Sequence, residues 1–191
     1  MSAAHVEAGL DRLAAVAGAS KVLAPQVARI AARYVEVLRG GGTLYFCGNG
    51  GSAADAQHVA AEYVVRYTGS RRPLAAVALT TDTSLLTAAG NDLGFEQIFA
   101  RQVEALCRPG DLLVLHSTSG RSPNLVAAAR AARTRGTPTV AFLGRDGGTL
   151  VGEVDEALVV PADDTGQIQL LHLALEHLVV ELVESALLGA R

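Results

Sequence analysis

Apolar residues recur at helical spacing from Val6 to Leu13 and again from Val27 to Leu38, where Val27, Ile30, Ala31, Tyr34, Val35 and Leu38 share a face. The pattern predicts two opening helices parted near Ala24-Pro25, the second stopped by Gly40-Gly41-Gly42. Beyond this point the pattern changes to short apolar runs, each followed by a loop. Thr43–Cys47, Ala75–Leu79, Leu112–His116, Thr139–Leu143 and Glu156–Val160 read as strands, and helical patterns fill most of the gaps between them. Continuously apolar strands joined by helices form a parallel sheet buried on both faces. The expected fold is therefore α/β, a three-layer sandwich around a five-stranded parallel sheet with additional N-terminal helices. Gln167–Leu188 predicts a long last helix, with Ile168, Leu171, Leu175, Leu178 and Leu182 on one stripe. With 191 residues and neither repeat nor linker, residues 1–191 are expected to form a single domain.

Composition narrows the chemistry. Half the residues are hydrophobic and only 18% are charged, against about 25% in an ordinary soluble domain, so there is little charge to cover a monomer's surface. The formal net charge of −3 and the absence of a basic run argue against nucleic acid as a partner. No uncharged apolar run reaches the roughly 18 residues of a membrane span, and His5, Glu7 and Asp11 make the start unlike a signal peptide, so no membrane is expected. Cys47 and Cys107, without CxxC spacing, suit a reducing cytoplasm. Lys21 is the only lysine and follows no glycine-rich loop, which excludes Schiff-base, pyridoxal and Walker-type chemistry.

In an open parallel sheet, ligands bind at the carboxyl ends of the strands, so the loops there are where chemistry is expected. After the first strand comes Gly48-Asn49-Gly50-Gly51-Ser52, running into a helix over Ala53–Arg66. Such a loop can bring backbone N–H groups to an anion; equally, Ser52 and Asp55 can form a capping box around a tight turn. After the third strand, Ser117-Thr118-Ser119-Gly120-Arg121-Ser122-Pro123 offers four hydroxyls at a helix start. Capping accounts for Ser122 and Pro123 but not for Ser117, Thr118 and Ser119, which favours phosphate binding. His58, Glu62 and Arg66 follow at four-residue steps and so project from one helix face. On the last helix Gln169 and His177, eight apart, share a face, whereas His172 falls elsewhere. Asn91-Asp92 adds a carboxylate in a loop spanning Gly90 to Gly94, and His116, at a strand end, is read as structural.

Together, Gly48-Asn49-Gly50-Gly51-Ser52, His58-x3-Glu62-x3-Arg66, Gly90-Asn91-Asp92, Ser117-Thr118-Ser119-Gly120 and Gln169-x7-His177 resemble the phosphoheptose isomerase family of sugar isomerase (SIS) domains. The resemblance implies a flavodoxin-like SIS fold, with residues 1–39 as oligomerisation helices of a homotetramer. It implies isomerisation of sedoheptulose 7-phosphate, a phosphorylated seven-carbon sugar, to D-glycero-D-manno-heptose 7-phosphate. By the same resemblance Glu62 and His177 are the catalytic acid/base pair, and Ser117, Thr118, Ser119 and Ser122 hold the phosphate. Asn49, Gly50, Gly51, Ser52, Glu62, Arg66, Asn91, Asp92 and Gln169 contact the rest of the substrate. His58, Glu62, Gln169 and His177 match the Zn²⁺ ligands of some members. An acidic contact of the family falls at Gly166 here, with Asp163 and Asp164 the available substitutes. Two relatives give different expectations. A noncatalytic, replication-initiator-associating tetramer lacks the last-helix His that this chain keeps as His177, and an arabinose 5-phosphate isomerase carries a lysine where this chain has Gly51.

Overall fold

The computed structural model describes residues 2–188. Helices α1 (Ala3–Ala19) and α2 (Ala24–Arg39) are joined by a short 3-10 segment, with Pro25 in the first turn of α2, where its missing N–H costs nothing. The chain then runs β1 (Leu44–Gly48), α3 (Gly51–Val64), β2 (Ala76–Ala78), α4 (Thr83–Asp92), α5 (Ala100–Leu106) and β3 (Leu112–Ser117). It continues as α6 (Pro123–Arg135), β4 (Thr139–Leu143), β5 (Glu156–Val159) and α7 (Thr165–Leu188).

All strand pairs are parallel and the order is β2-β1-β3-β4-β5. Each expected strand is present to within two residues at either end. Connections leave β1 toward β2 on one side, while β3 lies on the other, so the strand order reverses between β1 and β3. In open parallel sheets such a switch point is where a crevice forms, at the carboxyl edge. The loops that bound it are the two singled out in the sequence, after Gly48 and after Ser117.

The sheet is packed on both faces. α2, α3 and α7 cover one, with Ile30, Tyr34, Phe46, Tyr63, Phe142 and Val179 in the core. α5 and α6 cover the other, around Phe99, Val103, Leu115, Leu125 and Leu143. Cys47 and Cys107 are buried and unpaired, and no described helix is long and apolar enough to cross a membrane.

Several local expectations change. The buried face of α7 is Ile168, Leu171, His172, Leu175, Glu176, Val179, Val180, Val183 and Glu184, while Leu178 and Leu182 remain 48% and 43% exposed. The helix is apolar nearly all round, so spacing alone could not choose the inward stripe. Asn91 and Asp92 occupy the last turn of α4 rather than a loop. α3 stops at Val64, so Arg66 lies beyond it and, among the described residues, no ion pair joins it to Glu62. Ser52 makes no capping bond; Gly50, with φ of +57°, starts the helix instead.

His172 is fully buried, and its Nε2–H donates to the Leu143 carbonyl at 3.0 Å. Burial holds its pKa down at about 3, from an ordinary value near 6.5. The folded chain thus keeps this ring neutral while the unfolded chain protonates it below about 6.5. Its contribution to stability is intact above that pH and declines as pH falls toward 3. Between pH 7 and 4.5, His172→Gln should lose about 2 kcal/mol less stability than the wild type in urea titrations; identical losses would contradict this assignment.

Candidate active site

The glycine loop takes its shape from close approaches. A β-carbon on Gly51 would lie 2.5 Å from the Gln169 amide nitrogen, so glycine lets the start of α3 meet α7. Asn49 and Asn124 exchange amide hydrogen bonds of 2.9 and 2.8 Å, tying this loop to the first turn of α6. Ser52 is buried at the base of the loop.

The Ser/Thr loop is folded back on itself. Gly120 N–H donates to Ser117 Oγ at 3.0 Å and Arg121 N–H to Ser119 Oγ at 3.3 Å, leaving each hydroxyl hydrogen for an outside acceptor. Gly120, at φ +62°, passes so close to the Gly147 carbonyl that any side chain would overlap it. Ser122 precedes α6 with extended dihedrals, and its hydroxyl makes no capping bond. Helix capping therefore fails to account for Ser122, Ser52 or Asp55, whose carboxylate leaves Oδ2 buried without a partner. Burial pushes the Asp55 carboxyl up, partly opposed by His116 and His58.

α3 and α7 lie side by side on one face of the sheet, and their polar residues converge. His58 Nε2 is 3.0 Å from His177 Nε2 and 3.3 Å from Glu62 Oε1. One donor atom from each of the three lies within 4.8 Å of the others. His58 is half exposed, while Glu62 and His177 are partly sheltered. Two imidazole nitrogens and a carboxylate oxygen are suited to Zn²⁺, whose bonds of about 2.0–2.2 Å put tetrahedral ligands roughly 3.3 Å apart, near the spacings found. Gln169 has its amide against Gly51, nearer the start of both helices.

The structure thus gathers His58, Glu62 and His177, and ties the two anion-suited loops together through Asn49 and Asn124. It does not bring Asn91 and Asp92 to that cluster within one chain: both are exposed and Asn91 donates to Asp92 at 2.7 Å. Arg66 is likewise exposed. Asp164 caps α7 by accepting from Gln167 N–H at 2.9 Å, and a β-carbon on Gly166 would lie 3.3 Å from the same carboxylate.

Two features escaped sequence reasoning. His116 Nε2 and Glu176 Oε1 meet at 3.0 Å with no exposure at all, linking the residue before Ser117 to the residue before His177. Glu184 is buried under the loop that follows α3, against Arg71 at 2.7 Å. A glutamate on the apolar side of a helix was the only signal of either, and it names no partner.

With this geometry in view, resemblance to known proteins is specific. The family model for the SIS domain matches residues 11–144. A phosphoheptose isomerase of Roseiflexus sp. is 57% identical over 164 residues, covering 86% of this chain and 83% of that protein. One from Bradyrhizobium sp. is 51% identical over 186 residues, 97% and 93% of the two chains. The structure of phosphoheptose isomerase from Neisseria gonorrhoeae superposes with a TM-score of 0.90 at 43% identity, covering 95% of this chain and 97% of its own. That from Francisella tularensis gives 0.93 at 33% identity, covering 97% and 100%. Shared along nearly the full length of both partners, this likeness means that the chain belongs to the phosphoheptose isomerase family of SIS-domain proteins.

Proposed function

We propose that the crevice between β1 and β3 isomerises sedoheptulose 7-phosphate to D-glycero-D-manno-heptose 7-phosphate through an enediol, an intramolecular oxidoreduction. The convergence of Glu62 and His177 beside two anion-suited loops carries this reading. The relatives matched at about half identity are isomerases, and the last-helix histidine is present, so a noncatalytic binding role is not favoured.

Ketose and aldose interconvert when a proton moves between C1 and C2 while a second is exchanged between O1 and O2. The site therefore needs a base at carbon and an acid at oxygen. Glu62 carries the carbon proton and His177 serves the oxygens. Ser117, Thr118, Ser119 and Ser122, with the N-terminus of α6, hold the phosphate, which fixes the distance to the reacting carbons. Asn49, Gly50, Gly51, Ser52, Arg66 and Gln169 line the remainder of the sugar. Asn91 and Asp92 reach a site as contributions from a neighbouring subunit.

His58, Glu62 and His177 suit Zn²⁺, which when bound would polarise sugar oxygens as a Lewis acid; Gln169, about 12 Å along α7 from His177 with its amide against Gly51, does not join these three within one chain. The chain is read as one SIS domain whose first 39 residues assemble a homotetramer. α1 has no buried residue, and a groove of about 640 Å³ between the opening helices and α7 is lined by Val27, Leu171, Leu175, Leu178 and Leu182. An apolar surface of this kind is ordinarily covered by another chain. The unpaired, buried cysteines agree with a cytoplasmic setting.

Glu62→Gln and His177→Ala should each lower kcat on sedoheptulose 7-phosphate by about 10²–10⁴-fold while the substrate still binds. Near-normal turnover of Glu62→Gln would refute the assignment. Native mass spectrometry should give four chains with one zinc each; a metal-free monomer at micromolar concentration would contradict both the metal and the assembly.

A further inference from the structure

An ionised carboxylate buried under a surface loop is costly unless every lone pair is used, and Glu184 uses them fully. The residue is 3% exposed, seven residues beyond His177 on α7. Its Oε1 accepts from Tyr67 N–H at 3.0 Å and Arg71 Nε–H at 2.7 Å. Its Oε2 accepts from Thr68 N–H at 3.1 Å, Thr68 Oγ1–H at 3.1 Å and Gly69 N–H at 3.2 Å. Three successive backbone N–H groups turned to one anion make a nest. Burial pushes the carboxyl up, but these donors and the guanidinium outweigh it and hold the pKa at about 2.

The nest reaches both acid/base residues. The remaining nitrogens of Arg71 donate to the carbonyls of Glu62 and Tyr63, gripping the last turn of α3 where Glu62 sits. Tyr67, whose N–H the carboxylate holds, lays its ring on the His177 imidazole, with centroids 5.3 Å apart and planes 19° from parallel. A loop between a helix and a strand does not need a buried ion pair for stability, since apolar packing does that at lower desolvation cost. What this arrangement supplies is a fixed backbone for the turn that carries Glu62 and a fixed orientation for the His177 ring.

We infer that Glu184 and Tyr67 are positioning residues for the isomerase site: Glu184 gathers the loop after α3, so that Arg71 anchors the backbone turn that carries Glu62 and the Tyr67 ring orients the His177 imidazole. The inference rests on the isomerase reading above and adds to it residues to which that reading gives no part in holding the sugar or its phosphate. Misplacing a reacting group by about 1 Å can cost about 10²-fold in rate, and that is the scale of effect at stake.

Steady-state kinetics on sedoheptulose 7-phosphate, with thermal unfolding of each variant, provides the test. Tyr67→Leu should fold with a near wild-type melting temperature and lose about 10–100-fold in kcat, with KM changed less than about threefold because the phosphate loop is untouched. Tyr67→Phe, which keeps the ring, should recover kcat to within about threefold. Glu184→Gln should lose kcat in the same manner, and if it fails to fold the Tyr67 pair decides alone. A Tyr67→Leu enzyme with wild-type kcat would overturn this inference and leave the isomerase reading standing, as would a Tyr67→Phe enzyme as impaired as Tyr67→Leu. A folded wild-type chain with no turnover would remove both.

Discussion

Parallel strands place all their carboxyl ends on one edge, and this constraint organises everything functional in the molecule. Because β1 and β3 are neighbours whose connections diverge, the glycine loop and the Ser/Thr loop open side by side. Because α3 and α7 share a face of the sheet, residues 119 positions apart in sequence bring two imidazole nitrogens to 3.0 Å. An antiparallel arrangement of the same strands would scatter these loops over two edges. Chemistry is thus a consequence of topology before it is a matter of individual side chains.

The buried polar groups show what that convergence costs. His116 and Glu176 meet with no solvent contact, and His116 Nδ1 and Glu176 Oε2 have no partner among the described residues. Tyr34 adds a long bond to the same carboxylate at 3.4 Å. A core built for stability alone would replace such a pair by hydrocarbon. Glu184 is the opposite case, a buried carboxylate with every oxygen engaged. One pair joins β3 to α7; the other joins α7 to the loop that follows α3. Together they tie β3, α7 and the loop after α3 to one another.

Much of this was legible in the sequence. Apolar runs in which β-branched and leucine residues dominate gave the five strands, and two Gly-containing loops gave the crevice, because both signals are local. His58, Glu62 and His177 stood out because polar residues at fixed helical spacing contrast with an apolar background. Of the leucine stripe on α7, Ile168, Leu171 and Leu175 are buried while Leu178 and Leu182 are exposed, and a helix apolar on all sides has no contrast from which to read that difference. Asn91 and Asp92 read as a loop because of the glycines around them, although the Asp82 side chain caps a helix that carries them. The nest around Glu184 was invisible because its donors are backbone N–H groups, which every sequence possesses.

We propose that Glu62 and His177 move protons through an enediol of a seven-carbon ketose phosphate. Incubating the protein with sedoheptulose 7-phosphate in deuterated water and following product by NMR tests it directly. Proton transfer through the enediol should give an aldoheptose 7-phosphate that carries deuterium at C2. An intact ketose with neither product nor exchange at C1 would contradict it.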